Sequence, residues 1–268
     1  MDLEAEYNNR ARVPEHPAVM QGWQRDAAAW REACPRAELG LTYGAGEREK
    51  LDLFWPEGEA VAMAVFIHGG YWMALGREWV SHCARGLNGH GIAVAVPSYD
   101  LAPGVSVSAI VAQMRAACAF LHRRHGRHLM VTGHSAGGQL AAMMLATDWP
   151  ALDAALPADL VAAALPISGV FELEPLLPTS IGAALRISAE EARAVSPRFL
   201  PKPAGTIHCV VGGEESPEYL RQTRDMAAAW GGTAEALPGL NHFTVIAPLA
   251  DPGSALVEHA KRLACGAR

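Results

Sequence analysis

Ser135 stands in Gly133-His134-Ser135-Ala136-Gly137, and the residues on either side decide how this pentapeptide is read. Upstream, His128-Leu-Met-Val-Thr132 is a short apolar run that reads as a buried strand. Downstream, Gly138-Gln-Leu-Ala-Ala-Met-Met-Leu-Ala146 is rich in helix formers. A Gly-x-Ser-x-Gly between a strand and a helix makes a turn so tight that the serine takes a strained backbone conformation and exposes its hydroxyl. Glycine is needed on both flanks because a Cβ there would strike the neighbouring strand or helix. The chemistry this predicts is nucleophilic attack by an alcohol oxygen.

A hydroxyl is a poor nucleophile at neutral pH. It needs an imidazole to take its proton and a carboxylate to hold that imidazole in the right tautomer. For a serine on a strand–turn–helix, the acid and then the histidine follow later in the chain. His208 falls inside the apolar run Ile207–Val211 and reads as a core or edge residue. His242 lies in Gly239-Leu-Asn-His-Phe243, where a loop can carry its ring over the serine. For the acid, Val210-Val211 runs into Gly212-Gly-Glu-Glu-Ser-Pro217, so Glu214 and Glu215 are the contenders. Glu215 is favoured because the segment resembles hydrolases that usually show a Gly three residues before an Asp here, and Gly212 stands three before Glu215; Asp225, on the following helix, reads as part of a solvated face.

A negative charge forming on the attacked carbonyl needs donors. His68-Gly-Gly-Tyr-Trp72 follows a strand, and its glycine pair lets backbone N–H groups turn inward. Gly69, Gly70 and Tyr71, with Ala136 after the nucleophile, are the candidate oxyanion donors; losing one such donor typically costs about 3–4 kcal/mol. His68 reads as a residue that fixes this loop. Tyr71, Trp72 and His134 are the candidate substrate contacts.

The elements that must position these groups alternate along the chain. Residues 1–20 form a polar, Pro-punctuated arm, followed by a helix over Gln21–Ala33 with Trp23, Ala27 and Trp30 at helical spacing. Strands Glu38–Tyr43 and Lys50–Trp55 form an antiparallel hairpin about Gly44-Ala-Gly46. Strands then follow at Ala62–Ile67, Ile92–Pro97, Leu129–Thr132, Val161–Ile167, Ile207–Val211 and Ala234–Leu237. Helices are expected at Glu78–Asn88, Ser106–Arg124, Ala136–Ala146, Pro217–Trp230 and Ser254–Leu263. This rhythm predicts an α/β fold, a mostly parallel twisted sheet with helices on both faces. Phe171 to Pro203 breaks the rhythm with short helical pieces and prolines, and is expected to form a small cap inserted into one domain spanning 1–268.

Composition narrows the partners. The chain has 268 residues and a net charge of −6 without a basic run, which argues against nucleic acid or an anionic membrane. The acidic start, Met1-Asp-Leu-Glu-Ala-Glu-Tyr7, lacks the apolar core of a signal peptide, and no apolar run is long enough for a bilayer. Five scattered cysteines suit free thiols in a reducing cytoplasm, with no metal site or cofactor expected. A homodimer is compatible with the sequence.

Taken together, His68-Gly-Gly-Tyr-Trp72, Gly133-His-Ser-Ala-Gly-Gly138 and Asn241-His-Phe243 resemble the α/β-hydrolase superfamily. Tyr7-Asn-Asn-Arg10, Pro14-Glu-His-Pro17, Ser168-Gly-Val-Phe-Glu-Leu-Glu-Pro-Leu176 and Gly212-Gly-Glu-Glu-Ser-Pro-Glu218 with Arg221-Gln222 narrow the likeness. They resemble the serine-dependent kynurenine formamidase (arylformamidase) group and its bacterial esterase relatives. The resemblance implies hydrolysis of N-formylkynurenine to kynurenine and formate in tryptophan breakdown, with Ser135 as nucleophile, His242 as base and Gly70, Tyr71 and Ala136 as oxyanion donors. One departure stands out: many members carry Asp where this chain has Glu215. The competing expectations are a carboxylesterase of broad specificity on short acyl esters and a catalytically silent binding module.

Overall fold

The structure, a computed structural model, describes residues 2–267. Eight strands build one sheet: β1 (Ala37–Thr42), β2 (Lys50–Phe54), β3 (Ala62–Ile67), β4 (Ile92–Pro97), β5 (Leu129–His134), β6 (Val161–Ile167), β7 (Thr206–Gly212) and β8 (Thr233–Leu237). Their order across the sheet is β1-β2-β4-β3-β5-β6-β7-β8. β2 pairs antiparallel with both β1 and β4, and all other neighbours are parallel.

The two apolar faces of the central strands explain the layers. Along β3, Met63 and Val65 join one hydrophobic cluster, while Ala62, Ala64 and Phe66 join the other. This is the two-residue alternation of a strand buried on both sides. Helices Val107–His125, Ala136–Leu145 and Pro217–Trp230 cover the first face; His16–Ala33 and Ala255–Gly266 cover the second. Asp52, fully buried on β2, ties the second layer to the sheet by accepting from Arg31 and from Arg77 Nε at 3.1 Å. Among the described residues no helix is long and apolar enough to cross a membrane.

Three segments differ from the sequence reading. The expected helix Glu78–Asn88 is broken into 3-10 turns at Arg77–Trp79 and Ser81–Ala84 and a short helix at Arg85–Asn88. Tertiary partners override helix continuity there: Ser98 Oγ accepts from Arg77 N at 2.9 Å, and Asp52 Oδ1 accepts from Arg77 Nε at 3.1 Å. The N-terminal arm is helical, at Leu3–Tyr7 and Asn9–Arg12, each opened by a capping side chain from Asp2 or Asn8. The next helix begins at His16, with Pro17 in its first turn where no N–H acceptor is lost. Residues 171–203 do hold only short helical pieces. They pack against the helices of the first layer, where Gln139 Nε2 donates to Val195 O at 2.8 Å.

Candidate active site

The turn at Ser135 has the strain its sequence predicts. Ser135 sits at φ 56°, ψ −118°, between the end of β5 and the helix Ala136–Leu145. A Cβ on Gly133 would lie 2.3 Å from Gly137 O, and one on Gly137 would lie 2.0 Å from Ile67 O. Neither contact is tolerable, so only glycine lets the helix start this close to β3. The strain is held in place by Ser135 N, which donates to Ile167 O at 2.8 Å.

The loops after β7 and β8 bring an acid and an imidazole together. His242 Nδ1 donates to Glu215 Oε2 at 2.6 Å, both side chains being almost wholly buried. The other carboxylate oxygen, Oε1, accepts from Gly212 N at 2.8 Å and from Ser168 Oγ at 2.5 Å. Glu214 is exposed and makes no contact with the ring among the described residues. Ser135 and His242 line the same cavity, and no hydrogen bond joins their side chains among the described residues. Such bonds are commonly long in unliganded sites and tighten around substrate.

Between β3 and this pair runs the His68–Trp72 loop. A Cβ on Gly69 would meet His134 O at 2.8 Å, and Gly70 adopts φ +99° beside Ala74 O, so both positions demand glycine. The N–H groups of Gly70, Tyr71 and Ala136 have no hydrogen-bond acceptor among the described residues. His68 anchors the loop: its ring stacks on Tyr99 at 4.2 Å, and Nδ1 donates to Gly69 O at 2.8 Å. Burial pushes its pKa down to about 3, so the ring stays neutral.

Tyr71 and His134 line the cavity, whereas Trp72 does not. Trp72 is completely buried, and its indole N–H donates to Gln139 Oε1 at 3.0 Å. The expectation of Trp72 as a substrate contact is therefore corrected: φ 58° at this residue turns the side chain into the core. His134 Nε2 donates to His242 O at 2.8 Å, fixing the backbone at His242. Burial, and then the neighbouring His242, hold the His134 pKa well below the histidine range.

The roof of the cavity comes from an unexpected place. Arg10, Met20 and Trp23 from the N-terminal helices close it, with Leu75 and Phe243 at its sides, and no residue of 171–203 lines it. Asn9 pins this roof, its Nδ2 donating to Tyr71 Oη at 2.9 Å and to Tyr219 Oη at 3.1 Å. The Tyr219 ring in turn lies 4.8 Å from that of His242. Tyr7 donates to Glu218 Oε1 at 2.8 Å and accepts from Gln222 Nε2 at 2.6 Å, completing a buried network. Sequence reading assigned no role to Ser168, Asn9 or Tyr219. Asn9 and Ser168 stood only within the motifs that narrow the family resemblance, and Tyr219 gave no signal. A larger groove of ≈ 550 Å³ between Trp30, Trp55 and Pro252 holds none of these groups.

Comparison with known proteins agrees with the fold. The α/β hydrolase fold family matches residues 64–194. The kynurenine formamidase of Salmo salar is 32% identical over 229 residues, which span 80% of this chain and 77% of that protein. That of Danio rerio is 30% identical over 228 residues, with the same coverage of 80% and 77%.

The chain belongs to the kynurenine formamidase family of α/β-hydrolases.

It is a hydrolase. Outside these relatives, a crystal structure from Silicibacter sp. TM1040, provisionally described as a thioesterase, is 38% identical with a TM-score of 0.89. It covers 96% of this chain and 98% of its own. The carboxylesterase EstE1, from a metagenomic library, shares the fold at 20% identity and a TM-score of 0.73, covering 94% of this chain and 96% of its own. This α/β-hydrolase has the antiparallel start of the sheet and the strand-end loops that its relatives' fold implies.

Proposed function

We propose that this hydrolase removes a formyl group from an aromatic amine, with N-formylkynurenine as substrate and kynurenine and formate as products. Ser135 Oγ attacks the formyl carbon while His242 takes the hydroxyl proton, and Glu215 steadies the imidazolium through Nδ1–H. The N–H groups of Gly70, Tyr71 and Ala136 receive the negative charge on the carbonyl oxygen. His242 then passes its proton to the departing aryl amine. Water, deprotonated by the same ring, cleaves the formyl-enzyme to formate and restores Ser135.

The observation that carries this reading is the buried 2.6 Å contact between Glu215 and His242 at the cavity that also holds Ser135. Two further features favour a formyl group on an aryl amine at this cavity. Trp23, Tyr71 and Phe243 line it, suiting an aromatic leaving group, and Arg10 lies where an amino-acid carboxylate can meet a cation. Finally, an aryl amine is far less basic than an alkyl amine, so its amide yields to a serine and histidine almost as an ester does.

The test is formate release from N-formylkynurenine beside formyl, acetyl and butyryl esters of one phenol. The formyl substrates should show the highest kcat/KM. Butyryl esters winning by a large factor would make the protein a carboxylesterase of broad specificity.

A further inference from the structure

Away from Ser135, at the β8 edge of the sheet, two imidazoles and a carboxylate converge. His208 lies on β7 opposite Thr233 of β8, and Val210 lies opposite Glu235, so His208 and Glu235 share one face of the sheet. The final helix, Ala255–Gly266, crosses that face and adds His259. His208 Nε2 stands 3.6 Å from Glu235 Oε2, and His259 Nδ1 stands 3.3 Å from the same oxygen. The two rings are 4.6 Å apart and nearly perpendicular, at 80°.

These separations carry chemical information. Donor atoms around a tetrahedral zinc ion with bonds of 2.0–2.1 Å stand about 3.3 Å from one another. All three donor atoms here lie within 4.8 Å of each other. Yet neither His208 Nε2 nor His259 Nδ1, both buried atoms, makes an aligned hydrogen bond among the described residues, Glu235 included. Three polar atoms this close but unaligned with one another are arranged as donors to a shared fourth atom. Leaving two buried ring nitrogens without a partner would otherwise cost about 1–3 kcal/mol each.

The surroundings also fit. His208 Nδ1 bonds Thr233 Oγ1 at 2.6 Å, and this contact fixes the ring and leaves Nε2 for a ligand, as outer partners do for metal-bound histidines. Arg262, the cation nearby, is exposed and can turn to solvent.

We infer that His208 Nε2, His259 Nδ1 and a Glu235 carboxylate oxygen form a binding site for one divalent transition-metal ion, with zinc the best match to two imidazoles and a carboxylate. Such an ion ties the closing helix to β7 and β8. Those two strands lead straight into Gly212–Glu215 and the loop holding His242, so the ion braces the strand ends behind the acid and the base.

The test is calorimetric titration of zinc chloride into the full chain after treatment with a chelator. One ion should bind per chain and raise the thermal midpoint. His259→Ala and Glu235→Gln should each weaken binding at least about tenfold, with circular dichroism and metal-free ester hydrolysis reporting that each variant has folded. His128→Ala removes one ring of the His122–His128 pair, 6.1 Å apart, and should leave zinc affinity unchanged. Absence of zinc binding, or affinity kept within twofold in both site variants, overturns the proposal. So does zinc that inhibits hydrolysis and survives His259→Ala, which would place the ion at His134 and His242.

Discussion

Ser168 Oγ donates to Glu215 Oε1 at 2.5 Å, on the carboxylate oxygen that does not face His242. With Gly212 N on the same oxygen, this leaves Oε2 alone for the imidazole. Ser168 reaches Glu215 from the end of β6, at φ 51°, a backbone state that only a tight turn imposes. In the proposed mechanism it is a positioning residue, acting on His242 through Glu215.

Ser168→Ala should therefore lower kcat and leave KM nearly unchanged. A hydrogen bond to a charged group is worth about 1.5–3 kcal/mol, or roughly a 10–100-fold loss in rate. Steady-state kinetics on one formyl ester would check the split; a rise in KM with kcat intact would assign Ser168 to substrate binding instead.

The two adjacent glutamates should separate cleanly. Glu215→Gln puts a neutral amide where the ring needs an anion, and kcat should fall by about 10²–10⁴-fold. Glu214→Gln changes an exposed side chain and should stay within twofold of the parent, a span of about 0.4 kcal/mol. Equal losses in both variants would remove Glu215 from its proposed place.

Arg10 offers a test of substrate class. Its exposed guanidinium at the cavity mouth should contribute up to about 1 kcal/mol to a carboxylate, roughly fivefold in KM. Arg10→Ala should raise KM for N-formylkynurenine and leave formanilide, which has no carboxylate, untouched. The same change in KM for both substrates would mean that Arg10 only shapes the roof.

Stability should fall in acid for a reason visible in the core. Burial lowers the pKa of His68 to about 3 and of His82 to about 4, and holds that of His134 well below 6.5. In the unfolded chain these rings protonate near pH 6.5, so below that pH the unfolded state binds more protons than the folded one. Each such group removes about 1.4 kcal/mol of stability per pH unit. The loss begins as pH drops through 6.5 and ends for His82 near pH 4, its folded value. Denaturant midpoints between pH 7 and 4 should decline steadily, and His82→Gln should flatten the slope by one group's share; a level profile would mean that these rings are protonated in the fold.

Much of the site was legible in the chain because its chemistry is tied to local backbone geometry. Gly133-x-Ser135-x-Gly137, set between an apolar run and a stretch of helix formers, reads as a tight strand-to-helix turn, and in the structure a Cβ at either flank would meet backbone within 2.3 Å. The continuous apolar runs of β3, β4 and β6 announce a parallel sheet for a similar reason: strands buried on both faces leave no polar alternation. The broken helix at 77–88 was not legible, because Arg77 follows partners on β2 and on the segment after β4 and not its own helical propensity.

By itself, the sequence determined the sheet, the tight turn at Ser135 and the two loops that carry Glu215 and His242. Tertiary packing set the contact between His242 and Glu215, the residue the sequence already favoured over Glu214, and it alone decided that Trp72 turns into the core. It also decided that Arg10, Met20 and Trp23 roof the cavity in place of 171–203, and that His208 and His259 meet at Glu235. Backbone turns obey near neighbours, so residue type and spacing reveal them. Contacts across 27 to 211 residues, such as His242 with Glu215 or Tyr7 with Glu218, exist only once the layers have packed.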